Sequence, residues 1–175
     1  MTNLIDVINK GDYKMDIYEF AMQMEKDGEK YYRDLSQKIN NAGLKNILCM
    51  LADAEVKHYN ILQKMKENEK IHMPDTQLLS NVKNIFIQMK EKKDTFGVAI
   101  SQIDLYKKAQ DIEKKSKEFY LEKAEEVKDL SRRELFLKIA EEEKKHYSIL
   151  ENIINFVSRP QNWLENAEWF HLEEY

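Results

Sequence analysis

Small and apolar residues recur at helical spacing between about Lys14 and Ile39, through Tyr18, Ala21, Met22, Gly28, Tyr32 and Leu35, with Glu25 on the same stripe. The pattern predicts an amphipathic helix ending at the turn-like run Asn40-Asn41-Ala42-Gly43. From Leu44 to about Asn68 a second stripe runs through Leu48, Leu51, Ala52, Glu55, Tyr59, Leu62 and Met65, alternating by three and four. A further pair follows. Tyr106, Ala109, Glu113, Ser116, Tyr120 and Ala124 mark one helix, Lys128 to Ser131 a turn, and Phe136, Ile139, Ala140, Glu143, Tyr147 and Leu150 another. The expected organisation is a helical hairpin over 14–68, a crossover over 69–100, a second hairpin over 101–157 and a tail over 158–175. The crossover is broken by Pro74 and Gly97 and holds a short predicted helix near Leu78 to Lys92.

The two hairpins superimpose without a gap at an offset of 88 residues. Identical residues then meet at Tyr18/Tyr106, Ala21/Ala109, Glu25/Glu113, Tyr32/Tyr120, Ala52/Ala140, Glu55/Glu143, His58/His146, Tyr59/Tyr147 and Leu62/Leu150, among others. This is an internal repeat. A helix of ~25 residues is roughly 37 Å long, so a crossover of about 30 residues can travel the bundle and restart the third helix beside the start of the second. The result is a four-helix bundle whose hairpins are related by a pseudo-twofold axis, with Glu25, Glu55, Glu113 and Glu143 near mid-helix at one depth.

Composition agrees with an all-α domain: 175 residues, 4 Gly, 2 Pro and 34% charged residues. The net charge of -4 comes from well-mixed acidic and basic residues, so nothing points to nucleic acid or an anionic membrane. A single cysteine, Cys49, forms no internal disulfide and no Cys-x-x-Cys site. It is expected to be a small core hydrophobe in a reducing cytosol. Neither a leader-like pattern in Met1 to Lys10 nor an apolar run of membrane-spanning length is present, so a soluble, unprocessed cytoplasmic protein is expected.

Chemistry enters through the stripe itself. Glu55-Val56-Lys57-His58 and Glu143-Lys144-Lys145-His146 repeat one Glu-x-x-His spacing, which in a helix lets both side chains reach one centre. Four carboxylates on apolar faces would each lose several kcal/mol of hydration and repel one another unless protonated or neutralised. Two divalent cations would balance them, and imidazole with carboxylate suits iron or manganese and also accepts zinc. The predicted metal ligands are Glu25, Glu55, His58, Glu113, Glu143 and His146, with Glu55 and Glu143 placed to bridge. Tyr32, Tyr120, Tyr18 and Tyr106 lie seven residues from a ligand. They either donate hydrogen bonds to ligand carboxylates or are core aromatics with hydroxyls satisfied elsewhere, and spacing leaves both open. His72 is expected at the surface. In the tail, Trp163, Leu164, Ala167 and Phe170 fall at helical spacing and are expected to dock on the bundle or a second subunit. The alternative is a cap over the site involving Glu168 or His171.

The set of Glu25 and Glu113 with Glu55-x-x-His58 and Glu143-x-x-His146 resembles the ligands of ferritin-like di-iron carboxylate proteins. The phrases Met24-Glu25-Lys26-Asp27-Gly28-Glu29-Lys30-Tyr31-Tyr32 and Ile112-Glu113-Lys114-Lys115-Ser116-Lys117-Glu118-Phe119-Tyr120 are similar to the ligand helices of the rubrerythrin branch, and Arg159 to Glu168 resembles the tail of its small members. The resemblance implies a ferritin-like bundle holding two iron ions, reaction with hydrogen peroxide or dioxygen, and a homodimer. Two departures stand out. Ser116 occupies the position where such proteins usually carry an extra glutamate, and one cysteine excludes a rubredoxin domain, so electrons would come from a separate donor protein. Ferroxidase or iron-handling activity, a di-manganese catalase-like reaction and a non-catalytic metal-binding module are the alternatives.

Overall fold

The computed structural model describes residues 16–159. Among these, five α-helices and one 3-10 turn account for the regular structure, with no strand: α1 (Ile17–Gln37), α2 (Ala42–Lys66), α3 (Leu78–Lys92), the turn Ile100–Gln102, α4 (Ile103–Glu126) and α5 (Leu130–Ser158). The tail residues 160–175, with Glu168 and His171, lie outside the described residues, as do residues 1–15. No described helix is long and apolar enough to cross a membrane.

Side-chain caps start three of the helices. Asp16 accepts from the Tyr18 amide, Asn41 from the Leu44 amide at 2.9 Å and Asp129 from the Arg132 amide at 2.9 Å. α2 therefore begins inside the predicted turn, at Ala42, and α5 begins at Leu130. Asn41 does more than cap. Its side-chain amide donates to the Phe96 carbonyl at 3.0 Å, binding the end of the crossover to the start of α2. At that junction Gly97 has φ +71°, and a Cβ there would lie 2.6 Å from Asn40 Cβ, so both the backbone and the close approach require glycine.

α1 packs chiefly on α2 and α4 chiefly on α5, with α1 also touching α4 and α2 touching α5. α3 lies across α2 and α5, burying Leu78, Val82, Phe86 and Met89. Apolar burial falls into two clusters. One gathers Leu35, Leu44, Leu48, Leu51, Ile149, Ile153 and Phe156 with Phe86 of α3, and the other gathers Tyr18, Ala21, Leu62, Met65, Tyr120, Phe136 and Ile139.

Two expectations about burial change. Cys49 is only half-buried, because the inward positions around it belong to Leu48, Leu51 and Ala52. Tyr59 and Tyr147 are likewise half-buried, while His58 and His146, one residue earlier, take the inward place. Steps of three residues carry the buried stripe from Ala52 through Glu55 to His58, and from Ala140 through Glu143 to His146.

Candidate metal centre

Four helices each send one glutamate to the plane between the apolar clusters: Glu25 from α1, Glu55 from α2, Glu113 from α4 and Glu143 from α5. His58 and His146 join from one helical turn further along α2 and α5. All six are at most 4% exposed. His58 Nδ1 lies 3.2 Å from Glu143 Oε1, 3.3 Å from Glu25 Oε2 and 3.9 Å from Glu55 Oε2. His146 Nδ1 lies 3.1 Å from Glu55 Oε1, 3.3 Å from Glu143 Oε2 and 3.4 Å from Glu113 Oε2. The two imidazole rings stack with centroids 5.5 Å apart.

These contacts form two overlapping sets, Glu25–Glu55–His58–Glu143 and Glu55–Glu113–Glu143–His146, whose donor atoms lie within 4.8 Å of one another. Each of Glu55 and Glu143 turns one oxygen toward each imidazole. Glu25 Oε2, Glu55 Oε1, both Glu143 carboxylate oxygens and the Nδ1 atoms of both histidines are buried with no hydrogen-bond partner. Such orphaned groups are costly in a folded interior. A convergent set of carboxylate oxygens and imidazole nitrogens fits a pair of cations, which would satisfy them together.

The protonation pattern fits a centre that wants positive charge. Burial, reinforced by the charges of Glu143, Glu113 and Glu25, pushes Glu55 well above the usual carboxylate range. Burial and Glu143 raise Glu113 to about 8. Burial opposes charge on Glu143 as well, but the adjoining Glu113 carboxyl and the His146 and His58 imidazoles outweigh it and hold this carboxyl well below its ordinary value. Burial alone would lower His58, yet Glu143 and Glu25 raise it to about 9. His146 is raised well above the ordinary imidazole value in the same way, against burial and chiefly by Glu113.

Two of the four tyrosines reach the carboxylates, and they do so crosswise. The Tyr32 hydroxyl on α1 donates to Glu113 Oε1 on α4, and the Tyr120 hydroxyl on α4 donates to Glu25 Oε1 on α1. Burial first, and the neighbouring carboxylates second, keep both phenols protonated and therefore donors. Tyr18 stacks on Phe136 at 6.1 Å with the Arg132 guanidinium over its ring, and the Tyr106 hydroxyl is buried without a partner, so neither touches a carboxylate of the centre. Ser116 is buried at 8% exposure, and His72 is exposed. A cavity of about 250 Å³ lies beside Glu25 and Glu55, bordered by Lys26, Glu29, Val56, Tyr59 and Asn60.

Sequence reading passed over Glu142. It is 4% exposed, accepts from Thr76 Oγ1 at 2.7 Å and Lys145 Nζ at 2.7 Å, and lies close to both histidines. The available signal was its place four residues before His146.

An all-helical protein with a buried carboxylate–imidazole cluster able to hold metal is thus defined by its fold and centre. The profile of the Rubrerythrin family matches residues 16–154, and the chain belongs to that family. The family binds di-iron and suggests, in general terms, oxidoreductase activity, and the buried cluster of this chain is able to hold metal. In fold the chain is similar to a hypothetical protein from Pyrococcus furiosus, at 22% identity and a TM-score of 0.60, over 85% of this chain and 92% of that one. No curated protein matches the sequence.

Proposed function

We propose that this protein is a non-haem di-iron oxidoreductase, a ferritin-like bundle of two duplicated hairpins that reduces hydrogen peroxide or dioxygen at a carboxylate-bridged two-metal site. The observation that carries the reading is the sharing of Glu55 and Glu143, each with one oxygen toward His58 and the other toward His146. Glu25 with His58 and Glu113 with His146 then complete two equivalent ligand sets. Iron(II) held there supplies the two electrons that, with two protons, convert hydrogen peroxide to water.

The chain's own groups would do the rest. Tyr120 and Tyr32 fix the outer oxygens of Glu25 and Glu113, which leaves Glu25 Oε2 and Glu113 Oε2 facing the imidazoles. The apolar clusters on either side keep bulk water out of the plane. The cavity beside Glu25 and Glu55 has room for a small oxidant and not for an extended substrate. Electrons would come from a separate donor protein, and the protein would work as a cytoplasmic homodimer.

Anaerobic protein loaded with iron(II) and mixed in a stopped-flow instrument with peroxide, and separately with dioxygen, tests the reading. The expected result is oxidation of two iron ions per chain by one peroxide. Failure of both oxidants to change the iron spectrum sinks it, and oxygen evolution from peroxide by manganese-loaded protein would move the activity to catalase-like chemistry.

A further inference from the structure

Outside the six ligand groups, Glu142 is the buried carboxylate nearest the centre. One of its oxygens and one ring nitrogen of each histidine lie within 4.8 Å of one another. It precedes His146 by four residues, a separation that places both on one face of α5. Since His146 Nδ1 is turned to the inner carboxylates, Nε2 is the nitrogen that points away, and it is buried without a hydrogen-bond partner. A metal-ligating imidazole ordinarily gives its second N–H to a carboxylate, a carbonyl or water. Thr76 from the crossover and Lys145 from α5 each hold one oxygen of Glu142, and each oxygen keeps a lone pair free.

The first half of the repeat lacks this group. Ala54 stands where Glu142 would be, and Ala54 and His58 instead line a cavity of about 680 Å³ beneath the crossover.

We propose that Glu142 is a positioning residue for His146 alone, accepting its Nε2–H directly or through one water, and that Thr76 anchors it from the crossover. His58 gives its own Nε2–H to water in the cavity. The inference rests on the reading of His146 as a metal ligand. It makes the inner ligands of the two ions alike and their outer support different.

Cobalt(II)-loaded protein tests it by proton NMR, in which the imidazole N–H signals are shifted clear of the rest and their exchange with solvent can be timed. The parent is expected to bind two cobalt ions and show one slowly exchanging imidazole N–H and one fast. Glu142→Ala should turn the slow signal fast and make one cobalt ion roughly 10–100-fold easier to remove with a chelator, leaving the other unchanged. Glu142→Gln, which keeps a carbonyl acceptor, should recover part of the protection, and Thr76→Val should lose part of it. Equal weakening of both ions, or a slow signal that persists in Glu142→Ala, overturns the inference while leaving the metal site standing. A parent that binds no cobalt at this cluster overturns both.

Discussion

His58 and His146 occupy equivalent places in the repeat, yet His58 borders a cavity and His146 is sealed, with a carboxylate four residues upstream. The shared carboxylates differ just as much. Glu143 is held well below the ordinary carboxylate range by the adjoining Glu113 carboxyl and both imidazoles, whereas burial and then like charge push Glu55 well above it. The repeat supplies two matching sets of carboxylates and imidazoles, and the surroundings of each half give matching residues different electrostatic work. Symmetry of sequence is therefore compatible with asymmetry of surroundings.

Neutralising the two shared carboxylates one at a time is the sharpest way to break this comparison. In metal-free protein, Glu143→Gln removes the charge that faces two protonated imidazoles and is expected to cost ~3–5 kcal/mol in urea unfolding. Glu55→Gln resembles the protonated acid already present and should cost about 1 kcal/mol or less. Equal losses would show that the two carboxylates carry the same charge.

Acidity gives the next largest effect. His58 is raised from 6.5 to about 9, so its stabilising charge is fully present below pH 6.5 and lost as pH rises through about 9. Glu113, raised from 4.5 to about 8, binds a proton in the folded chain that the unfolded chain has released, so its contribution also declines as pH rises across that window. Metal-free protein should consequently melt at progressively lower temperature between about pH 4.5 and 9. Metal-loaded protein, its protons displaced by the cations, should not follow that decline, which thermal scans of both forms would check.

The tyrosines offer the finest test. Tyr32→Phe should weaken the ion on the Glu113–His146 side and Tyr120→Phe the ion on the Glu25–His58 side, each by roughly tenfold in chelator competition. Weakening of the same ion by both variants would contradict the crossed hydrogen bonds.

The six clustered residues were legible because a repeat advertises what two halves share, and Glu25, Glu55 and His58 each have an identical counterpart. Tyr32 and Tyr120 were half-legible. Spacing put them on the face of the clustered carboxylates but could not say that each would serve the opposite helix, nor separate them from Tyr18 and Tyr106, whose surroundings are Arg132 and an apolar wall. Glu142 escaped because it is a difference between the halves, with Ala54 as its counterpart. Its anchor, Thr76, is 66 residues away along a crossover whose path no periodicity records. Burial at single positions was also out of reach: Cys49 and Tyr59 lie one residue from the inward stripe, a rotation of about 100° that the pattern blurred.

The polar plane between the two apolar clusters has a consequence for how such a chain can change. Side chains at one end pack against their own neighbours, apart from those at the other end, so a substitution on one side is expected to be felt chiefly on that side. Identities between the duplicated halves gather from Tyr18 to Tyr32 and from Ala52 to Leu62, around that layer, while Cys49 has Leu137 as its counterpart and Gly43 has Ser131. A molecule assembled this way has two compartments free to drift and one layer that ties their histories together.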